Sequence, residues 1–140
     1  MPSVSVIIPT RNEEANISNL LSQILPYGYE VLVVDDSDDN TRNIALDLGA
    51  RVLIGQRKGL GQAIVDGINS VETDIVVVCD ADLSHNPKSI PNLVKPILEQ
   101  GYDMTIGSRY VKGGSTVGWT AKRKIISYVA SSIAFAQSST

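Results

Sequence analysis

Short runs of β-branched and aliphatic residues alternate with amphipathic stretches along most of this chain. Val4-Ser5-Val6-Ile7-Ile8, Val31-Leu32-Val33-Val34, Arg51-Val52-Leu53-Ile54, Ile75-Val76-Val77-Val78 and Met104-Thr105-Ile106-Gly107 each read as a strand. Their near-continuous apolar character is that of parallel strands covered on both faces. Between them, apolar residues recur at helical spacing. Ile17, Leu20, Leu21, Ile24 and Leu25 mark a helix opened by Asn12-Glu13-Glu14 and stopped by Pro26 and Gly28. Ile44, Ala45 and Leu48 mark a second, closed at Gly49, and Ala63, Ile64, Ile68 and Val71 a third. Ile90, Leu93, Val94, Ile97 and Leu98 mark a fourth, between Pro87 and Gly101. Such βα alternation predicts an α/β fold with a mostly parallel sheet and helices on both faces.

The pattern changes after residue 111. Lys112-Gly113-Gly114-Ser115 reads as a flexible turn, followed by Trp119, the basic cluster Lys122-Arg123-Lys124 and an apolar run over 125–136. That run predicts a helix suited to a partner or a membrane interface but too short to span a bilayer. The chain therefore divides into a core over 1–111 and a basic, apolar segment over 112–140.

Composition narrows the class. The 140 residues suffice for one domain with a single core. A net charge of −3 argues against duplex nucleic acid as a partner. Cys79 is the only cysteine, so no intrachain disulfide forms, and its strand setting marks it as a core residue. Met1-Pro2-Ser3 carries no basic leader, and no apolar stretch is long enough to cross a membrane. The expected location is the cytoplasm, peripheral at the cytoplasmic face of a membrane.

Candidate chemistry gathers where the fourth strand ends, at Cys79-Asp80-Ala81-Asp82-Leu83-Ser84-His85. The carboxyl edge of a parallel sheet is where ligands bind. Asp80 and Asp82 are two residues apart, so an extended backbone projects both to one side. Two hard oxygen ligands suit Mg²⁺ or Mn²⁺ together with substrate phosphates, although an Asx turn capping the next helix uses the same residues. Gly59 and Gly61, with Asp80 some way beyond, imitate a dinucleotide fingerprint, but Ile64 stands where that motif needs a small residue. No Walker loop is present. Arg57, Lys58 and the glycines suit a mobile cationic loop beside a nucleotide, or a solvated surface loop. His85 is either a base or a turn residue. Arg109 falls at the sheet edge of the Asp pair, where a guanidinium neutralises a diphosphate or pairs with Asp80 or Asp82.

Six motifs taken in order resemble family 2 glycosyltransferases: Val6-Ile7-Ile8-Pro9-Thr10-Arg11-Asn12-Glu13, Val33-Val34-Asp35-Asp36-Ser37 with Thr41, Lys58-Gly59-Leu60-Gly61, Asp80-Ala81-Asp82-Leu83-Ser84-His85, Gly107-Ser108-Arg109-Tyr110, and Gly118-Trp119 with Arg123-Lys124. The last three, with Lys112-Gly113-Gly114, are similar to dolichol-phosphate mannose synthases. The resemblance implies a GT-A (Rossmann-like) three-layer αβα sandwich and an inverting, metal-dependent transfer of mannose from GDP-mannose to a polyprenyl (dolichyl) phosphate. It implies that Pro9 and Glu13 line the nucleoside pocket and that Asp36, or Asp35, holds the base or ribose. Ala81 belongs to the same nucleotide-contacting set. Asp80 and Asp82 would position the metal, helped by Ser84, while Asp82, Arg109 and Arg123 act at the reacting phosphates. Arg11 stands where the family more often has Tyr, a change that either alters stacking on the nucleotide or adds a cation near it. Family members also continue beyond the basic segment, so the chain is expected to be shortened on the acceptor side, to be completed by a partner subunit or a further segment. Two alternatives are a related transferase using UDP-glucose and a silent nucleotide-sugar-binding module.

Overall fold

The computed structural model describes residues 3–81, 87, 90–92, 94 and 95, with the backbone of the strands at 104–106, 109–111 and 125–129. Among the described residues seven strands are formed: β1 (Val4–Thr10), β2 (Glu30–Asp35), β3 (Arg51–Ile54), β4 (Ile75–Cys79), β5 (Met104–Ile106), β6 (Arg109–Val111) and β7 (Ile125–Val129). Three α-helices lie between the first four strands, α1 (Ile17–Ile24), α2 (Thr41–Asp47) and α3 (Leu60–Asn69), with a 3₁₀ turn over Leu25–Tyr27 after α1. Further helical residues follow at 90–92, 94 and 95.

One sheet contains all seven strands in the order β3-β2-β1-β4-β7-β5-β6. Every pairing is parallel except β5 with β6. The chain first winds outward from β1 through β2 to β3 and then returns to place β4 on the other side of β1. The β1/β4 boundary is thus a topological switch point, where loops leave in opposite directions and open a crevice at the carboxyl edge.

Strand alternation divides the core in two. Val6, Ile8, Val31, Val33, Ile75, Val77 and Cys79 face one side, packed with Ile17, Leu20, Leu21 and Ile24 of α1, Ala45 of α2, and Ile90 and Val94. Ile7, Leu32, Val34, Val76 and Val78 face the other, packed with Ala63, Ile64 and Ile68 of α3. Helix α3 sits close to the sheet because residue 67 is glycine. A Cβ there would lie 2.5 Å from Ile7 Cγ2 and 3.1 Å from Val34 Cγ2.

Three sequence expectations are corrected. The apolar run beginning at Ile125 is a strand over Ile125–Val129, not a helix, and it joins the sheet between β4 and β5. Its β-branched Ile125, Ile126 and Val129 suit a pleated surface, and two parallel neighbours for its backbone override the helical reading. Helix α1 begins at Ile17 rather than near Asn12. The amides of Asn12 and Glu13 are taken by Ser37 Oγ at 2.8 Å and Thr41 Oγ1 at 2.9 Å, which holds this segment to the β2–α2 loop. Arg109, expected at the end of the fifth strand, instead opens a strand of its own, β6, antiparallel to β5. Among the described residues no helix is long and apolar enough to cross a membrane.

Candidate nucleotide-sugar site

A cavity of about 300 Å³ opens at the switch point, lined by Pro9, Thr10, Arg11, Glu13, Asp36, Gly59, Leu60, Ala63, Asp80 and Ala81. Strand parity selects Pro9, Asp36 and Asp80 among them. The register pairs Ile7 with Val78 and Pro9 with Val34. Pro9 therefore continues the row of Ile7, Asp36 the row of Val34, and Asp80 the row of Val78, all toward the α3 face. The amino end of α3 closes the same side with Gly59 and Leu60, and the dipole of a helix favours an anion at such an end.

The same parity sends Asp35 to the opposite face. It is fully buried, accepts a 2.7 Å hydrogen bond from Thr10 Oγ1, and pairs with Arg42 Nε at 3.1 Å. Of the two adjacent acids, Asp36 lines the cavity and Asp35 does not; Asp35 ties β1 and α2 beneath it. Lys58 is exposed and also stands outside the lining.

Three carboxylates, Glu13, Asp36 and Asp80, and one guanidinium, Arg11, therefore line the cavity. A diphosphate entering such a wall meets net negative charge, so a divalent cation fits the donor set as the group that would let it bind. Asp80 is the one expected metal ligand within the described residues. Asp82, Ser84, His85 and Arg123 lie outside them. No cluster of three or more His, Cys, Asp or Glu residues spaced for a metal occurs among the described residues.

The loops flanking the cavity are fixed by local polar contacts. Asn12, at φ +56°, accepts from the Asp38 amide at 2.8 Å. Thr41 Oγ1 accepts from the Glu13 amide and donates to Asp39 Oδ1. Partial burial pushes the Asp39 carboxyl up, but hydrogen bonds from the Thr41 hydroxyl and amide and from the Glu14 amide outweigh it and hold it below the usual carboxylate range. Arg57 donates to Asp38 Oδ1 at 2.7 Å and to the Ser37 carbonyl at 3.2 Å; the Asp38 bond holds its guanidinium above its ordinary value.

Of the residues singled out in the sequence, Pro9, Arg11, Glu13, Asp36, Asp80 and Ala81 are brought together. The backbone of Arg109 is farther away. It pairs with Ile106 at the carboxyl end of β5, on the edge strand and three strand positions from β4. At the usual strand spacing this is about 14 Å. Sequence reasoning missed two cavity walls: Leu60, which stood out only as part of Lys58-Gly59-Leu60-Gly61, and Ala63, whose helical spacing marks the face turned to the core.

Known proteins resemble this arrangement at both levels. The model of the family Glycosyl transferase family 2 matches residues 5–138. The chain is 43% identical over 134 residues to a dolichol-phosphate mannosyltransferase of Pyrococcus furiosus, covering 89% of this chain and 38% of that protein. It is 38% identical over 121 residues to an uncharacterized glycosyltransferase of Mycobacterium bovis, covering 86% and 55%. The chain thus spans 38% to 55% of the length of these curated relatives. Among solved structures, glucosyl-3-phosphoglycerate synthase from Mycobacterium tuberculosis, in complex with Mn²⁺, UDP and glucosyl-3-phosphoglycerate, superposes with a TM-score of 0.68 at 31% identity, over 75% of this chain and 43% of that one. Mannosyl-3-phosphoglycerate synthase from Rubrobacter xylanophilus superposes with a TM-score of 0.68 at 25% identity, over 75% and 40%.

Proposed function

This chain belongs to glycosyl transferase family 2, and from that premise we propose that it serves the inverting transfer of mannose from GDP-mannose to a polyprenyl phosphate such as dolichyl phosphate. The observation that carries the reading is the convergence of Pro9, Asp36 and Asp80 on one face of the switch point, beside the amino end of α3. The likeness to the dolichol-phosphate mannosyltransferase of Pyrococcus furiosus supports mannose as the sugar and a dolichyl phosphate as the acceptor.

In this reading Pro9, Leu60 and Ala63 form the apolar wall for the nucleoside, and Glu13 and Asp36 accept hydrogen bonds from its base or ribose. Asp80, with Asp82 and Ser84, holds Mg²⁺ or Mn²⁺, and Arg11 adds a cation at the nucleotide side. The bound cation would neutralise the diphosphate and ease departure of the nucleotide. An acceptor phosphate is already anionic at neutral pH, so no strong general base is required. Its oxygen attacks the anomeric carbon as the bond to the diphosphate breaks, and the protein's part is to orient two anions. Arg109 and Arg123 would contact the phosphates of donor and acceptor. A lipid acceptor also brings the chain to a membrane surface, where Lys122, Arg123 and Lys124 meet anionic headgroups.

Transfer of labelled mannose from GDP-mannose to dolichyl phosphate in detergent, with Mn²⁺, tests the reading. Product formation lost in an Asp82→Ala variant supports it. A chain that binds GDP-mannose but yields no product is a donor-binding module completed by another segment or subunit. A second reading has a specific support: the structural neighbour with UDP and Mn²⁺ makes UDP-glucose with a small phosphorylated acceptor the competing pair.

A further inference from the structure

The Asp36 carboxylate is seated in a niche that the β3–α3 connection builds for it. A Cβ on residue 55 would lie 2.1 Å from Asp36 Oδ1, 2.7 Å from Cγ and 3.0 Å from Oδ2, so the carboxylate occupies the space that glycine leaves. The Gly55 amide donates to the Asp35 carbonyl at 2.9 Å, which locks this glycine onto the end of β2. Two residues on, the Arg57 amide donates to Asp36 Oδ1 at 3.1 Å from a backbone at φ +57°. The Arg57 side chain then reaches across to Asp38 Oδ1 and the Ser37 carbonyl, closing the turn over the β2 loop.

We infer that Gly55 and Arg57 are positioning residues that fix the Asp36 carboxylate for a hydrogen-bond donor of the bound nucleoside; this rests on the cavity being the nucleotide-sugar site. One carboxylate oxygen is aimed by the turn, and the group as a whole stays on the cavity wall. A carboxylate accepts from ribose hydroxyls or from the paired N–H donors of guanine, but repels the carbonyls that flank the single N–H of uracil. Its orientation therefore bears on nucleotide preference as well as on affinity. A methyl group at 55 must displace that carboxylate from its seat. Removal of the Asp36 side chain, in turn, removes the three atoms nearest to such a methyl.

The test is a double-mutant cycle on the full chain, read by calorimetric titration with GDP and UDP in Mn²⁺. Gly55→Ala and Asp36→Ala are each expected to weaken GDP about tenfold or more, the loss of one charged hydrogen bond. Each should shrink the preference for GDP over UDP. The double variant should bind like Asp36→Ala alone and regain thermal stability lost in Gly55→Ala. Titration with 2′-deoxy-GDP and IDP separates the donors: the one whose removal costs nothing further in Asp36→Ala is the partner. Should Gly55→Ala not fold, Arg57→Gly carries the same cycle, since it keeps the amide and removes the guanidinium tie; it should weaken GDP at least threefold, and only when Asp36 is present. Wild-type binding with an unaffected Gly55→Ala, or an equal loss with and without Asp36, overturns the inference. Failure of the wild-type chain to bind any of these nucleotides overturns instead the nucleotide reading of the cavity.

Discussion

Thr10 Oγ1 donates a 2.7 Å hydrogen bond to the fully buried Asp35 Oδ1, joining the carboxyl ends of β1 and β2 directly beneath the candidate site. A buried carboxylate that loses one of its donors keeps the desolvation cost without the compensation. Thr10→Val, which preserves shape and removes the hydroxyl, is therefore expected to cost about 1–3 kcal/mol of unfolding free energy. Urea denaturation followed by circular dichroism measures it. An unchanged midpoint would mean that Arg42 alone satisfies Asp35.

Gly67 sets the distance between α3 and the sheet. An added methyl meets Ile7 and Val34, both fully buried, so neither side chain can swing into solvent. Gly67→Ala is expected to destabilise by about 1–3 kcal/mol despite the better helix propensity of alanine. Because α3 also brings Leu60 and Ala63 to the cavity, nucleotide affinity should fall together with stability. Stability equal to or above wild type would show that α3 shifts without cost.

Glu30 supplies a pH-dependent contribution at the opposite, amino edge of the sheet. Partial burial pushes its carboxyl up, but the Ser5 hydroxyl at 2.7 Å and the Arg51 guanidinium at 2.7 Å outweigh this, leaving it lowered. A folded value below the unfolded one gives stability that is fully present above the unfolded carboxylate range and lost as pH falls through the folded value. The pair is partly exposed, so its worth at neutral pH is about 0.5 kcal/mol. Wild type and Glu30→Gln should differ by that amount near pH 7 and converge in acid. A gap that stays constant with pH would assign the effect to packing.

Much of the fold was legible because buried parallel strands write themselves as apolar runs. The Asp80 position followed directly from the end of Ile75-Val76-Val77-Val78-Cys79. The choice between Asp35 and Asp36 was not legible, since both follow the same strand. It is settled by which alternate row of β2 meets α3, and that is a property of packing. The segment at Ile125 was misread because an apolar run interrupted by serines fits a helix face as well as a strand until neighbouring strands supply its backbone partners. The niche around Asp36 left no trace in the sequence beyond a glycine in a loop, because the approach of Gly55 to Asp36 is made across two connections.

The most direct measurement of the central claim, that the crevice between β1 and β4 is a metal-dependent nucleotide-sugar site, is calorimetric titration of the chain with GDP-mannose and with UDP-glucose, each with and without Mn²⁺, beside Asp80→Ala. Expected is saturable binding of GDP-mannose that requires the metal, is weaker for UDP-glucose, and is lost in Asp80→Ala. Binding that survives Asp80→Ala unchanged, or that ignores Mn²⁺, would contradict it.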